Sequence, residues 1–238
     1  MAHGLPTKYG DFLEFIYALR MFECNKNWFN SDSEKESIKK RKLLEYFQRT
    51  SEKNSQLYNE ISFLKYRNAW IKYFQNLWGD RSNLKGQGWI DFESEISTMI
   101  QYIDRAYTIV ERESEFEIKV AKIEGLLWYK INKILKHIAK DGQYINNSFK
   151  SYTNEITLTD MDYIKKHLHN DLNRLIRLLE IYLSDYISFE NTTPLNIIKN
   201  LRIDSVLSFN YTDTYRKIYA NNPESKIDYC FIHICGWG

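Results

Sequence analysis

Val206-Leu207-Ser208-Phe209-Asn210-Tyr211-Thr212-Asp213 is the stretch that decides how the rest of the chain is read. The aliphatic residues Ile203, Val206 and Leu207 stop abruptly at small and polar ones, and a helix-like pattern follows from Thr212 to Tyr219. A buried strand that delivers polar groups to the end of a sheet has this form, and open α/β folds bind ligands at such ends. A second apolar run, Ile227 to Ile232, ends on His233. Two successive strand ends, one carrying an amide and the other an imidazole, point to a site rather than to core.

Working outward, the turn Gly4-Leu5-Pro6-Thr7-Lys8-Tyr9-Gly10 precedes an amphipathic segment. From Asp11 onward, Phe12, Leu13, Phe15, Ile16 and Leu19 have helical spacing. Residues 25–36 are polar and read as a loop, and from there to about residue 188 the chain reads helical almost throughout. Leu57, Ile61, Leu64, Ile71, Phe74 and Trp78 recur at near-helical intervals and stop at Gly79-Asp80, a C-terminal signal. Ile164, Leu168, Leu172, Leu175, Leu179, Leu183 and Ile187 hold a second seam. Between them, 91–112 and 115–140 read as two more helices and 143–160 as a polar connection; Pro194 ends the helical block. Only nine glycines and three prolines serve the 238 residues, which favours long helices over many tight turns. The expected class is therefore α/β with a large all-helical insertion, mostly helical overall; the resemblance described below implies that its sheet is parallel and incomplete. Residues 1–24 and 189–238 would form one discontinuous α/β domain, and 25–188 the insertion. The two ends would then share a cleft.

A net charge of +2 creates no field that argues for nucleic acid or a membrane surface. The opening residues lack the cationic and apolar parts of a signal peptide, and no apolar run is long enough to span a bilayer. Three cysteines, Cys24, Cys230 and Cys235, are too few and too odd for a disulfide framework. The cytoplasm is the expected compartment.

Asn210 can donate and accept together, which suits a ribose hydroxyl or a bound water; it equally suits a cap for the helix starting near Thr212. His233 has the ordinary affinity of a general base at neutral pH, although a histidine ending an apolar strand also serves as a plain structural residue. Cys230, His233 and Cys235 do not make a zinc site, because extended geometry turns Cys230 away and a fourth ligand is missing. His167 and His169, two apart on a helix, face apart and are expected at the surface. The run Lys39-Lys40-Arg41-Lys42 reads as a solvated charged face. Asp91 and Glu93 follow Gly86-Gln87-Gly88 and complement a helix N-terminus, though two carboxylates beside a glycine loop can also face a site.

Three segments together resemble the AbiH family of bacteriophage abortive-infection proteins. Ala2-His3-Gly4-Leu5-Pro6-Thr7-Lys8-Tyr9-Gly10-Asp11-Phe12 is similar to that family's stretch just after its first strand. Trp89-Ile90-Asp91-Phe92-Glu93 is similar to its internal marker, and Ser208-Phe209-Asn210-Tyr211-Thr212 to its C-terminal one. The family is in turn similar to sirtuin-like NAD-binding proteins, whose Rossmann-like fold is a parallel sheet with helices on both faces. The resemblance implies a phage-defence protein that binds NAD or a related nucleotide and hydrolyses it. By position, Asn210 would orient the ribose and His233 would act as base. His3, Gly4, Thr7, Tyr9, Asp91, Ser208, Tyr211 and Thr212 would contact the cofactor, without a metal.

The sequence departs from that pattern. Family members carry an apolar strand and a Gly-Asn-Gly-Phe-Asp loop before the His-Gly-Leu-Pro run, where this chain has Met1. Such a loop lets backbone approach phosphates. Ile234 and Cys235 separate His233 from Gly236, and Thr212 stands where sirtuin-like proteins have an acidic residue. The resulting expectation is a chain truncated at both ends, a poor enzyme by itself. The rival expectation is a non-enzymatic sensor that binds a phage or host component through the tryptophan-bearing middle, with Trp28, Trp70, Trp78, Trp89 and Trp128. A phage-derived trigger is expected under either. A nuclease would need a metal-binding carboxylate cluster that the sequence lacks.

Overall fold

Helices account for nearly everything in the computed structural model, which describes residues 9–24, 34–82, 92–114, 121–123, 125–140, 143–144, 155–187, 205–208 and 228–231. Contacts divide the chain into two units, Lys8–Leu179 and Met1–Thr7 with Glu180–Gly238.

In the first unit, α1 (Tyr9–Glu23) is helical because Phe12, Phe15, Ile16 and Leu19 fall on one face, and all four are buried. It packs on α2 (Glu34–Lys53) and on α4 (Ala69–Ser82). Phe15 meets Tyr46 and Phe47 of α2, with ring centroids 5.8 and 5.1 Å apart. Lys39 of α2 reaches back to Asp11, at 2.8 Å, and to Glu14. Burial works against its charge, yet the hydrogen bonds and negative charges of the two carboxylates prevail and raise its pKa. Lys40 is buried, whereas Arg41 is exposed and pairs with Glu45 one turn along α2, so only part of the basic run is a solvated face.

Asn54 ends α2 and begins α3 (Ser55–Lys65), its side chain accepting from the Leu57 amide. The apolar pattern from Leu57 to Trp78 then proves to be two helices. Arg67 adopts φ 49°, and Asn68 caps α4 by accepting from the Ile71 amide. Gly79 does not stop α4, which continues to Ser82. Phe92–Ser114 form α5, with a narrow stripe of Met99, Ile103, Ala106 and Val110 buried. α6 (Gly125–Leu135) packs on both α4 and α5. The span read as one helix over 115–140 therefore contains an 11-residue helix flanked by short strands.

Those strands form two antiparallel pairs. β1 (Ala121–Lys122) pairs with β4 (Glu155–Ile156), and β2 (Ala139–Lys140) with β3 (Gln143–Tyr144). α7 (Leu158–Ile181) opens on a reciprocal cap: the Asp160 amide donates to Thr157 Oγ1, and the Thr157 hydroxyl to the Asp160 carboxylate at 2.6 Å. Its buried seam is Met161, Ile164, Leu168, Asp171, Leu175 and Leu178. The pattern is offset from the expected one by a residue at two places, and an aspartate occupies one of them.

In the second unit, Tyr182–Tyr186 form a π-helical turn closed by the Ile187 amide on the Tyr182 carbonyl. β5 (Ser205–Ser208) and β6 (Asp228–Phe231) pair in parallel, Ser205 opposite Asp228 and Ser208 opposite Phe231.

The expected class, α/β with an incomplete parallel sheet of sirtuin-like or Rossmann-like type, is overturned. Among the described residues seven α-helices stand against strands of two to four residues, and no sheet exceeds two strands. The aliphatic runs that suggested a sheet are four residues long where they pair. Among the residues whose burial is described, the buried side chains lie mostly on helix stripes. No helix among the described residues is long and apolar enough to cross a membrane.

Candidate functional site

Two of the three segments singled out by sequence meet within the helical unit. Tyr9 stacks on Phe92, centroids 4.3 Å apart and planes 7° from parallel, and Phe92 stacks on Phe74 at 3.9 Å. Phe12 touches Phe92 edge-on at 6.2 Å. The Tyr9 hydroxyl donates to Glu93 at 3.4 Å. This aromatic stack joins the starts of α1 and α5 across α4. Gly10 completes the junction: a Cβ there would overlap the Trp78 indole. The glycine is needed for close approach, because the ring fills the space that a side chain would take.

A buried polar node lies on α7. Asp171 is 2% exposed and caps α4, its carboxylate accepting from the Ala69 amide at 2.7 Å. Arg174 donates to the same carboxylate at 2.9 Å and also to the carbonyls of Phe63 and Tyr66. Asn68 returns the contact by donating to the Asp171 carbonyl at 2.7 Å, and the Trp70 indole donates to Leu168 at 2.9 Å. His167 does not lie wholly at the surface: its Nε2 is buried, 3.4 Å from Asp171, without hydrogen-bond geometry. A carboxylate at a helix start satisfies donors that would otherwise be orphaned, so the node fixes the α3–α4 turn against α7.

Beside it a pocket of about 190 Å³ opens between α4, α5 and α7. Trp70, Ile100, Ile103, Leu168, Leu172 and His169 line it together with Lys165 and Asp104, which form an ion pair at 3.2 Å. The lining offers apolar contact, one ion pair and an imidazole.

Of the sequence-predicted residues, Tyr9 is placed in the aromatic stack. Ser208 ends β5, opposite Phe231. His3, Gly4, Thr7, Asp91, Asn210, Tyr211, Thr212 and His233 lie outside the described residues. Asn210 and His233 each follow the register pair Ser208–Phe231 by two residues of sequence.

The model of the family described as bacteriophage abortive infection AbiH matches residues 1–236. The chain belongs to the AbiH family. Comparison with curated proteins and with solved structures gave no match. AbiH membership carries a role in abortive infection of bacteriophage, and two of the segments that suggested the family are joined here by the contacts of Tyr9 and Phe12 with Phe92 and Glu93.

Sequence reasoning missed the Asp171 node in this AbiH chain. The available signal was the aspartate itself, one position before Leu172 in an otherwise apolar helical stripe. A charge in a seam is costly unless paired, so it implies partners elsewhere. The pocket gave no signal, because its residues come from three helices and share no spacing.

Proposed function

We propose that this AbiH protein exerts its abortive-infection role by binding NAD or a related nucleotide and hydrolysing the bond between nicotinamide and ribose. The support is the parallel register of β5 on β6, with an amide and an imidazole each two residues beyond the same pair. In this reading Asn210 orients the ribose, with Ser208, Tyr211, Thr212, His3, Gly4 and Thr7 as further nucleotide contacts. The glycosidic C–N bond breaks with its electron pair going to nicotinamide, and the sugar carbon gains cationic character. A water oxygen bonds to that carbon while His233 takes the water proton, leaving nicotinamide and ADP-ribose. General-base loss typically costs at least about a hundredfold in rate, so His233→Ala should lower turnover by that much. Nicotinamide is quantified after incubating the full chain with NAD, with and without phage lysate. Its absence under both conditions removes the enzymatic reading.

A second reading is association without catalysis, favoured by large apolar side chains on the helical unit that face solvent. Phe63, Tyr66, Leu126 and Tyr129 are each at least 60% exposed. A phage or host component would bind there, and His233→Ala would leave protection intact.

A further inference from the structure

Neither reading of the abortive-infection role uses the pocket between α4, α5 and α7. Trp70 forms its floor, 1% exposed, with its indole held in place by donating to the Leu168 carbonyl at 2.9 Å. Ile100 and Ile103 of α5 and Leu168 and Leu172 of α7 supply apolar walls. At about 190 Å³ the space is close to that of dry protein cavities of roughly 150 Å³ that take up benzene. It therefore suits one ring or one branched alkyl group. Drug-sized ligands fill pockets of roughly 300–1,000 Å³, so a dinucleotide would enter only in part.

The polar groups of the pocket are divided between its walls. α7 contributes Lys165 and His169, one turn apart, and α5 contributes Asp104. Lys165 Nζ lies 3.2 Å from Asp104 Oδ1 and 4.3 Å from the centroid of the Tyr107 ring, which fixes where its charge stands. Both charged side chains reach solvent, Lys165 at 45% and Asp104 at 56% exposure. The Asn173 amide nitrogen lies 3.3 Å from His169 Nε2. An amide NH₂ can only donate, so Nε2 accepts and Nδ1 keeps the proton as a further donor. Donors on one wall thus face a carboxylate on the other, at the edge of an apolar hole.

A ligand with a single charge would meet this ion pair as an attraction and a repulsion of similar size. One that carries a cation and an anion close together matches both members at once. The exposed large hydrophobic side chains, Phe63 and Leu126 among them, do not line the pocket, so it is not continued by the apolar patch that a protein partner covers. We propose that the pocket binds a free α-amino acid with a large apolar side chain. The side chain lies against Trp70, the ammonium pairs with Asp104, and the carboxylate accepts from Lys165 and His169. The site uses none of the residues assigned to nucleotide hydrolysis and none of the exposed side chains assigned to association. It stands or falls separately from both readings.

L-Phenylalanine is the probe, titrated into the full chain while the Trp70 indole N–H resonance is followed by NMR. A saturable shift is expected. Phenylpropionate, which lacks the ammonium, and phenylethylamine, which lacks the carboxylate, should each bind at least about threefold more weakly, the scale of one exposed ion pair. Asp104→Asn should remove the preference for L-phenylalanine over phenylpropionate, and Lys165→Gln should reduce the preference over phenylethylamine. Lys166→Gln, an exposed lysine of α7 outside the pocket, should bind like the parent. If either pocket variant fails to fold, Ile100→Phe replaces it; the added ring fills the hole and should abolish binding. Absence of a saturable shift overturns the proposal, as do preferences left unchanged by Asp104→Asn and Lys165→Gln. Equal affinity for toluene would reduce the pocket to an apolar hole. Equal affinity for N-acetyl-L-phenylalaninamide, which presents the ring as a polypeptide does, would make it a docking point for a protein; either result overturns amino-acid recognition.

Discussion

Asp171 shows what a single side chain does in this protein. It sits in an apolar stripe, nearly fully buried, and it satisfies the first amide of α4 and the guanidinium of Arg174. Asp171→Ala would strand both groups, and breaking a buried charge pair from one side costs about 3–5 kcal/mol. Urea unfolding should show that loss; a change near zero would mean the node is decorative. The stripe was readable in the sequence, but its phase was not, because Leu172 looked like the better core residue. Of the groups that answer the carboxylate, Arg174 is three residues on in the same helix, whereas the Ala69 amide at the start of α4 lies 102 positions earlier and no local pattern reveals it.

His137 supplies a pH dependence whose sign is fixed. Burial first, then the charges of Lys136 and Lys72, hold its folded pKa at about 4, below the ordinary 6.5. Between those values the unfolded chain takes up a proton that the folded chain resists, so stability is intact above pH 6.5 and falls toward pH 4. The Asn76 amide nitrogen lies 2.9 Å from His137 Nε2. Thermal melts from pH 7 to 4 should show part of that decline absent in His137→Gln, whose amide oxygen can still accept from Asn76. Parallel curves for parent and variant would refute the assignment.

Helices succeed or fail here by their ends. The apolar period from Leu57 to Trp78 is real, yet it spans two helices because both turn the same kind of face inward. What divides them is Asn68, a cap inside the pattern, together with the left-handed backbone at Arg67. Gly79 was read as a stop, but nothing opposes the helix there and its Cβ position is open. Gly10 is the opposite case, since its missing side chain admits Trp78. Gly10→Ala should force the indole away and loosen α1 from α4, at about 1–3 kcal/mol for overpacking. A melting temperature equal to the parent's would show that the ring moves freely. The run at Lys39 follows the same lesson: its charges were visible, whereas Asp11 and Glu14 as its partners became evident only once α1 and α2 were packed.

For the chain taken entire, the sequence weighted its ends too heavily. Two aliphatic runs near the C-terminus do pair in parallel, as their order implied, but four residues per strand do not make an α/β protein. The segments that carried the AbiH resemblance fared better. Residue 9 and residues 92–93 meet, and the shared aromatic stack gives a physical reason for their appearing together. The hydrolytic and associative readings part at a plating assay: His233→Ala abolishes protection under the first and preserves it under the second. Protection preserved alongside lost nicotinamide release would sever NAD cleavage from defence.

The bond from Asn68 to the backbone of Asp171 spans 103 positions. A ribosome delivers the earlier partner first, and at typical elongation speeds of roughly 5–20 residues per second the later one follows several seconds afterwards. Through that interval the nascent α3–α4 corner has its start capped only by Asn68, with water standing in for the missing carboxylate. Completion of α7 therefore times the final locking of the helical unit, and a release after residue 170 would leave the corner unlatched.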